Sequence, residues 1–138
     1  TCTFDVTVSD TASPTITCPS APATVEATSS SGAAVSYDAA SATDVADDDV
    51  AITYSAASGS TFAIGTTAVT ATATDDSGNT STCTFNVTVA DTTSPAITCA
   101  DAPAPVEATS SAGVPVSYEP ATATDTGDDT SRMNLVCV

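Results

Sequence analysis

Most aspartates of this chain are grouped in short acidic stretches whose spacing suits a hard divalent cation. Carboxylates that lie close together in a loop supply the oxygen ligands that calcium prefers, about six to eight for each ion. We therefore predict a calcium site at the stretch DVADDD and at the similar stretch DTGDD, with a solvated loop that binds no ion as the alternative. The predicted ligands are Asp44, Asp47, Asp48, Asp49, Asp125, Asp128 and Asp129.

Other acidic residues lie where they could complete such a site from a domain junction. Asp10 and Asp91 begin two similar linkers, and the hairpin sequence DDSGN adds Asp75, Asp76 and Asn79. A cation held between units would cancel the repulsion between facing carboxylates and stiffen the chain there. The helix–loop–helix calcium motif is absent from the sequence.

Two asparagines stand in the acceptor pattern for N-linked glycans. Asn79 is followed by Thr80 and Ser81, and Asn86 is followed by Val87 and Thr88. The pattern predicts attachment at both asparagines. The abundant threonines are further candidates for O-linked sugars, although threonine is also a good strand former on a wet face.

An enzyme is not expected, because the groups that most catalysis requires are missing. The chain has no histidine and a single Lys or Arg, which is Arg132, and no nucleophile stands beside a base. The acidic residues also recur at related positions, which suits structure better than one active site. The net charge of −16 argues against nucleic acid and anionic lipid as partners. No apolar run of about 18 residues is present to insert into a membrane.

The elements that must position these residues are short strands. Seven stretches in the central region alternate apolar and polar residues or are rich in strand formers, and none has a convincing helical period. They are residues 15–18, 23–28, 33–38, 50–55, 61–65, 67–75 and 81–90. Seven short strands in about 80 residues predict an all-β fold, an immunoglobulin-like or fibronectin type III-like β-sandwich with a lean core of alanine and valine.

The chain repeats itself. TCTFDVTVSD at its start returns as TCTFNVTVAD, and equivalent positions are 81 residues apart over a gapless match. This period predicts a tandem array cut out of phase. Residues 1–10 are the last strand of a preceding or neighbouring-chain repeat, residues 11–91 a complete repeat, and residues 92–138 the first half of a following one. We expect residues 2–9 to lie against a sheet.

The five cysteines stand singly, which predicts disulfides and an oxidising compartment rather than a zinc site. In a sandwich of this type the first and last strands can run side by side in parallel, which places Cys18 near Cys83. Closing that loop is worth about 4 kcal/mol in the chain-entropy model. The competing pair is Cys83 with Cys99, which requires the chain to turn back along a whole strand.

The order and spacing of these motifs resemble the hyalin repeat, a module of extracellular and cell-surface proteins. The resemblance is carried by SPTITCPS, TVEATSSSG, SYDAASATD and the long run from Tyr54 to Val89, and it extends over nearly the whole chain. It implies an immunoglobulin-like fold, a role in adhesion or as a spacer, and no enzymatic activity. The second disulfide of the cysteine-richer family members is absent here, and the tail from Thr130 leaves the pattern.

We therefore predict an extracellular structural subunit of a fibre or adhesin stalk, whose main partner is another copy of itself and whose further partners are glycans. Residues 2–9 of one molecule would complete the C-terminal half-repeat of the next, with Cys2 bridged to Cys99 of the neighbour and Cys137 left free. This assembly still lacks a counterpart of residues 58–81. The alternative is a chain that continues through both ends as part of a longer repeat polymer.

A rival hypothesis is a cell-surface adhesion module that binds a protein or a carbohydrate. Its contact surface would be the loops at residues 44–49 and 58–60. Neither loop is apolar or aromatic enough to resemble a binding hot spot, so this hypothesis ranks second.

Overall fold

The computed structural model describes residues 1–127, and every regular element in that range is a β-strand. This confirms the predicted all-β class. The described part of the chain contains no helix of the length and apolarity that crossing a membrane requires. The predicted ligands Asp128 and Asp129, and Cys137, lie outside the described residues.

Ten strands follow one another within residues 1–127. They are β1 (Thr15–Thr17), β2 (Val25–Glu26), β3 (Ala33–Ala34), β4 (Ser41–Thr43), β5 (Ala51–Tyr54), β6 (Thr61–Phe62), β7 (Gly65–Thr74), β8 (Thr80–Ala90), β9 (Ala96–Thr98) and β10 (Thr122–Thr124).

The main sheet has four strands in the order β2-β8-β7-β5. Its centre is the long antiparallel hairpin of β7 and β8, in which Gly65 lies opposite Val89 and Thr74 opposite Thr80. The hairpin turns at the predicted DDSGN sequence, where Gly78 has a φ of 86° that L-residues rarely adopt. Strand β2 runs parallel to the end of β8 and continues the sheet on that side.

Two smaller pairs complete the sandwich. Strand β3 pairs with β6, and β1 pairs with β4, both antiparallel. Ala33 of β3 and Phe62 of β6 belong to the same buried cluster as Val69, Val87 and Val89 of the main sheet. Alternation along β7 and β8 therefore buries one face against these short strands, as the sequence pattern predicts.

Tyrosines close the core near the ends of β3 and β5. The ring of Tyr37 stacks edge-on against Phe85 and tilts against Tyr54, at centroid distances of 4.9 and 5.6 Å. The Tyr37 hydroxyl donates to the Ala56 carbonyl, and the Tyr54 hydroxyl accepts from the Ala40 amide. Desolvation, with a contribution from Tyr54, raises the pKa of Tyr37. The two hydroxyls place hydrogen-bonding groups at the edge of an aliphatic core.

The prediction for individual strands was incomplete in two places. Strand β4 was missed, because Ser-Ala-Thr has no apolar alternation and gains its place only by pairing with β1. Ile64 lies in the stretch 61–65 that was predicted as one strand, but it is outside β6 and is 42% exposed. The chain leaves strand β6 at Phe62 and starts β7 at Gly65, so the two-residue alternation does not continue through Ile64.

The opening segment, residues 1–10, forms no strand, which is a correction to the expectation that residues 2–9 lie against a sheet. Phe4, Val6 and Val8 are 84%, 75% and 92% exposed. Along β8 the same sequence is flanked by β2 and β7. The described residues contain one set of these flanking strands, and β8 already occupies the place between them.

The C-terminal region reproduces only the first pairing of the central repeat. Strand β9 pairs with β10 in the register of β1 with β4, shifted by the repeat period. The counterparts of Val25, Val35 and Tyr37, which form or line the core of the central repeat, are exposed here as Val106, Val116 and Tyr118, and Ile97 is exposed as well.

Candidate functional site

Three carboxylates from distant parts of the chain converge at one end of the sandwich. Asp10 comes from the linker before β1, Asp44 from the turn after β4, and Asp75 from the β7–β8 hairpin. Their ligand oxygens lie within 4.8 Å of one another. Asp75 is only 5% exposed and is the one buried charged residue among those described.

Local backbone geometry aims each of these side chains. Asp10 accepts a hydrogen bond from the Ala12 amide, and Asp44 accepts one from the Ala46 amide. Asp75 accepts from the amide of Asn79 at 2.7 Å and from its side-chain Nδ2 at 2.8 Å. Turns in which a carboxylate binds the amide two residues ahead hold the side chain in one orientation, so this group is ordered by the fold.

Like charges at these separations repel by on the order of 1–4 kcal/mol for each pair, depending on exposure. The chain has a single Lys or Arg, at position 132, so residues 1–127 contain no basic side chain to balance them. The donor set is entirely carboxylate oxygen, which fits a hard cation such as calcium. Asp10, Asp44 and Asp75 are therefore the residues that could hold one.

The four aspartates of the predicted acidic loop have different surroundings in the structure. Asp44 joins the converging group. Asp47 instead accepts hydrogen bonds from the amides of Asp76, at 2.7 Å, and Asp49. These bonds, the one from Asp76 first, lower the pKa of Asp47 and tie the loop to the hairpin. Asp48 and Asp49 point to solvent.

Two of the three converging residues have counterparts one period later, Asp91 for Asp10 and Asp125 for Asp44. Asp91 binds the Thr93 amide as Asp10 binds that of Ala12, and Asp125 binds the Gly127 amide as Asp44 binds that of Ala46. The Asp91 carboxylate packs against Gly127 in the space that a Cβ there would fill. The linker aspartate therefore meets the turn of the following repeat at both places.

A second contact holds the linker to the repeat that precedes it. The Glu26 carboxylate accepts hydrogen bonds from the amide and hydroxyl of Thr92, both at 2.7 Å, and from the amide and hydroxyl of Thr93. These bonds, led by the Thr92 amide, lower the pKa of Glu26. This clamp was not predicted from the sequence. Its only signal is the repeated VEAT motif, in which Glu107 is the counterpart of Glu26.

The two contacts lie at opposite ends of the main sheet. Asp75 lies in the turn between β7 and β8, beside the first residue of β8, and Glu26 lies opposite Ala90 at the last residue of that strand. A strand of 11 residues separates them by about 35 Å. The chain enters the central repeat beside Asp10 at one end and leaves through the clamp of Glu26 at the other.

A disulfide joins Cys18 to Cys83, with Cα atoms 5.7 Å apart. This is the first of the two pairings considered from the sequence, but the geometric reason given for it was wrong. Strand β1 pairs antiparallel with β4 in a separate small sheet, and it is β2 that runs parallel to β8. The bridge therefore ties the β1–β4 pair to the main sheet. Cys2 and Cys99 are exposed and unpaired among the described residues.

A small disulfide-linked sandwich whose linkers are held at opposite ends defines an immunoglobulin-like repeat module. The profile of the HYR domain matches residues 9–89, more than half of the chain. The chain belongs to the HYR, or hyalin repeat, family, which confirms the resemblance seen in the sequence. This is a family of extracellular, adhesion-type, non-enzymatic repeat domains. No curated protein matches the chain.

Proposed function

We propose that this protein is a link in an extracellular fibre or adhesin stalk built from tandem HYR repeats. The observation that carries the proposal is the contrast in burial between two copies of one strand. Phe85, Val87 and Val89 are at most 6% exposed in β8, whereas Phe4, Val6 and Val8 are at least 75% exposed. An apolar strand in solvent requires a sheet from another repeat to cover it.

The geometry of the linkers supports a linear array. The chain enters the central repeat at one end of the main sheet and leaves it at the other. Successive repeats would therefore follow one another along one direction. Each linker has its aspartate against the following repeat, and Thr92 and Thr93 are held by the preceding one. Contacts on both sides favour a stalk with defined joints over loosely tethered beads. The disulfide and the family assignment favour an extracellular location.

One form of this proposal joins separate molecules head to tail. Residues 2–9 of one copy would cover the exposed C-terminal region of another, with Val8 beside Val106 as Val89 lies beside Val25. Cys2 would then form a disulfide with Cys99 of the neighbour, in the manner of the Cys18–Cys83 bridge. Such contacts do not close on themselves and would extend into filaments.

This junction has a gap that the other form avoids. A counterpart of residues 58–81, which include β6 and β7, would be missing. Because β7 flanks β8 in the central repeat, this leaves one edge of the donated strand open. In a longer polypeptide that continues through both ends, each strand of a repeat comes from the same chain and no edge is left. Both forms give a stalk of repeats in a single row. They differ in whether consecutive repeats are joined by a peptide bond of one chain or by a strand donated from a separate molecule.

We propose in addition that a calcium ion binds Asp10, Asp44 and Asp75 and stiffens the joint. The convergence of three carboxylates from three segments, with no basic residue of the described chain beside them, supports this cation. Glycans remain proposed partners. The rival adhesion surface has less support, because the loops at residues 44–49 and 58–60 precede and follow β5 and lie at its opposite ends.

Electron microscopy of the purified protein, with gels run with and without reductant, tests the proposal. Filaments that shorten on reduction, with a disulfide-linked ladder lost in a Cys2→Ser variant, support head-to-tail joining. Filaments indifferent to reductant support a continuous chain. Single globules at all concentrations, monomeric without reductant, contradict the fibre and favour the binding module.

A further inference from the structure

The two asparagines in glycan acceptor sequences have opposite structural surroundings. Asn86 lies in the middle of β8 and is exposed, on the face of the sheet opposite to the buried Phe85 and Val87. Its cross-strand partner is Ala68, the smallest side chain on that outer row. Thr88, which completes the acceptor sequence, faces the same side and shares a hydrogen bond with Thr66 at 3.2 Å.

The side chain and backbone of Asn79 are hydrogen-bonded within the β7–β8 hairpin. Its side-chain Nδ2 donates to one Asp75 oxygen at 2.8 Å, and its amide donates to the other at 2.7 Å. The amide of Asp75 in turn donates to the Asn79 carbonyl. Asp75 is buried, so a substituent on Nδ2 of Asn79 would leave that nitrogen with a single hydrogen and would have to fit beside the buried carboxylate that it binds.

We propose that Asn86 is an N-glycosylation site of this protein and that Asn79 is not. The donor would be a lipid-linked oligosaccharide. The Nδ2 atom of Asn86 forms a bond to C1 of the first sugar, the bond from C1 to the lipid pyrophosphate oxygen breaks, Nδ2 gives up one proton, and the lipid pyrophosphate leaves.

The order of attachment and folding does not alter this selection. A glycan added to Asn86 before folding projects into solvent once β8 pairs with β7, and the small Ala68 leaves room for its first sugar. A glycan added to Asn79 before folding would oppose closure of the same hairpin. In the opening segment the position equivalent to Asn86 is Asp5, so that copy of the strand offers no acceptor.

The test is secretion of the whole chain from a eukaryotic host that attaches N-linked glycans, followed by peptide mass spectrometry. Enzymatic release of the glycan in heavy-oxygen water converts each occupied asparagine to a labelled aspartate. We expect label at Asn86 and none at Asn79 in the wild-type protein. The Asn86→Gln and Thr88→Ala variants should lose all N-glycan, and Asn79→Gln should keep it.

An unlabelled Asn86 in the secreted wild-type protein would overturn the proposal, and so would a glycan at Asn79 in the folded fraction. Mapping on the wild-type chain makes this result independent of whether any variant folds. The outcome is also independent of the fibre proposal, because a monomer that carries its glycan at Asn86 satisfies one and contradicts the other.

Discussion

The segment at residues 1–10 and the strand at residues 82–91 differ at only two of their ten positions, yet one is bare in solvent and the other is the centre of the sheet. Local propensity is the same for both. The difference is that β8 has β2 on one side and β7 on the other. Strand formation in this protein therefore depends on partners rather than on the strand sequence itself.

The C-terminal region gives the same lesson from the opposite side. It has the sequence of β1 to β4, but only the first of these pairings forms, because the partner of β2 in the central repeat is β8. Because no counterpart of β8 lies beside this region among the described residues, Val106 and Val116 are exposed. One part of the molecule lacks the sheet and the other lacks the strand, which is the complementarity that the proposed stalk uses.

The largest expected effect is the loss of stability on removal of the Cys18–Cys83 disulfide. The central repeat has this bridge, whereas Cys2 and Cys99 in the two end regions are unpaired among the described residues. The double variant Cys18→Ser and Cys83→Ser opens a loop of 65 residues, which should cost about 4 kcal/mol of unfolding free energy. Denaturant unfolding without reductant measures it. The control is Cys2→Ser with Cys99→Ser, which should leave the central repeat unchanged. Equal stability of the two double variants would mean that the bridge does not hold the repeat together.

Calcium is expected to have the next largest effect, if it joins the linker to the repeat. At about 100 times its dissociation constant, one bound ion stabilises the folded state by about 2.7 kcal/mol, so the melting temperature should rise with calcium and fall with a chelator. Asp10→Asn should abolish this response. Asp48→Asn, at an exposed position outside the converging group, is the matched control. An identical calcium response in both variants would place the ion elsewhere.

The comparison of the two strand copies can be tested one side chain at a time. Val87→Ala removes buried methyl groups from a fully buried position and should cost about 2 kcal/mol. Val6→Ala makes the same change in the exposed copy and should alter the stability of the isolated monomer by less than about 0.5 kcal/mol. A destabilisation at Val6 comparable to that at Val87 would show that residues 2–9 are covered after all, most directly by a second copy.

These contrasts also explain how far the sequence could predict the structure. The β7–β8 hairpin was predictable, because about ten residues of alternation on each side of DDSGN admit a single register with one apolar face. Strand β4 and the outward turn of Ile64 were not, because each depends on where a neighbouring strand ends. The bridge between Cys18 and Cys83 was named for a wrong reason, since the assignment of β1 to a sheet is a long-range property.

The candidate site shows the same limit. The sequence indicated an acidic, cation-binding end and offered Asp10 and Asp75 as additional ligands. It could not show that these two meet Asp44 whereas Asp47 turns to the hairpin backbone. Convergence of three segments is set by the packing of the sandwich. The Glu26 clamp left no signal beyond the repeated VEAT motif, since a lone exposed glutamate is ordinary on any surface.

The smallest expected effect concerns that clamp. Glu26→Gln keeps the shape of the side chain but removes the charge that strengthens four hydrogen bonds to Thr92 and Thr93. The amides of these threonines should exchange with solvent faster in the variant, with little change in the stability of the repeat. Glu107→Gln is the matched control, because Glu107 is exposed and makes no such contact among the described residues.

Acid should reproduce the effect of Glu26→Gln in the unmodified protein. Because folding lowers the pKa of Glu26, the clamp is complete above the ordinary pKa of a glutamate and weakens as the pH falls through the lowered value. Exchange at Thr92 and Thr93, compared with that at core amides of β8 after correction for intrinsic exchange rates, should therefore rise in acid. In the Glu26→Gln variant the same ratio should lose this part of its pH dependence. If wild type and variant keep the same profile, the linker is held by something other than the Glu26 carboxylate, and the fixed angle between repeats that the stalk requires must come from the aspartates alone.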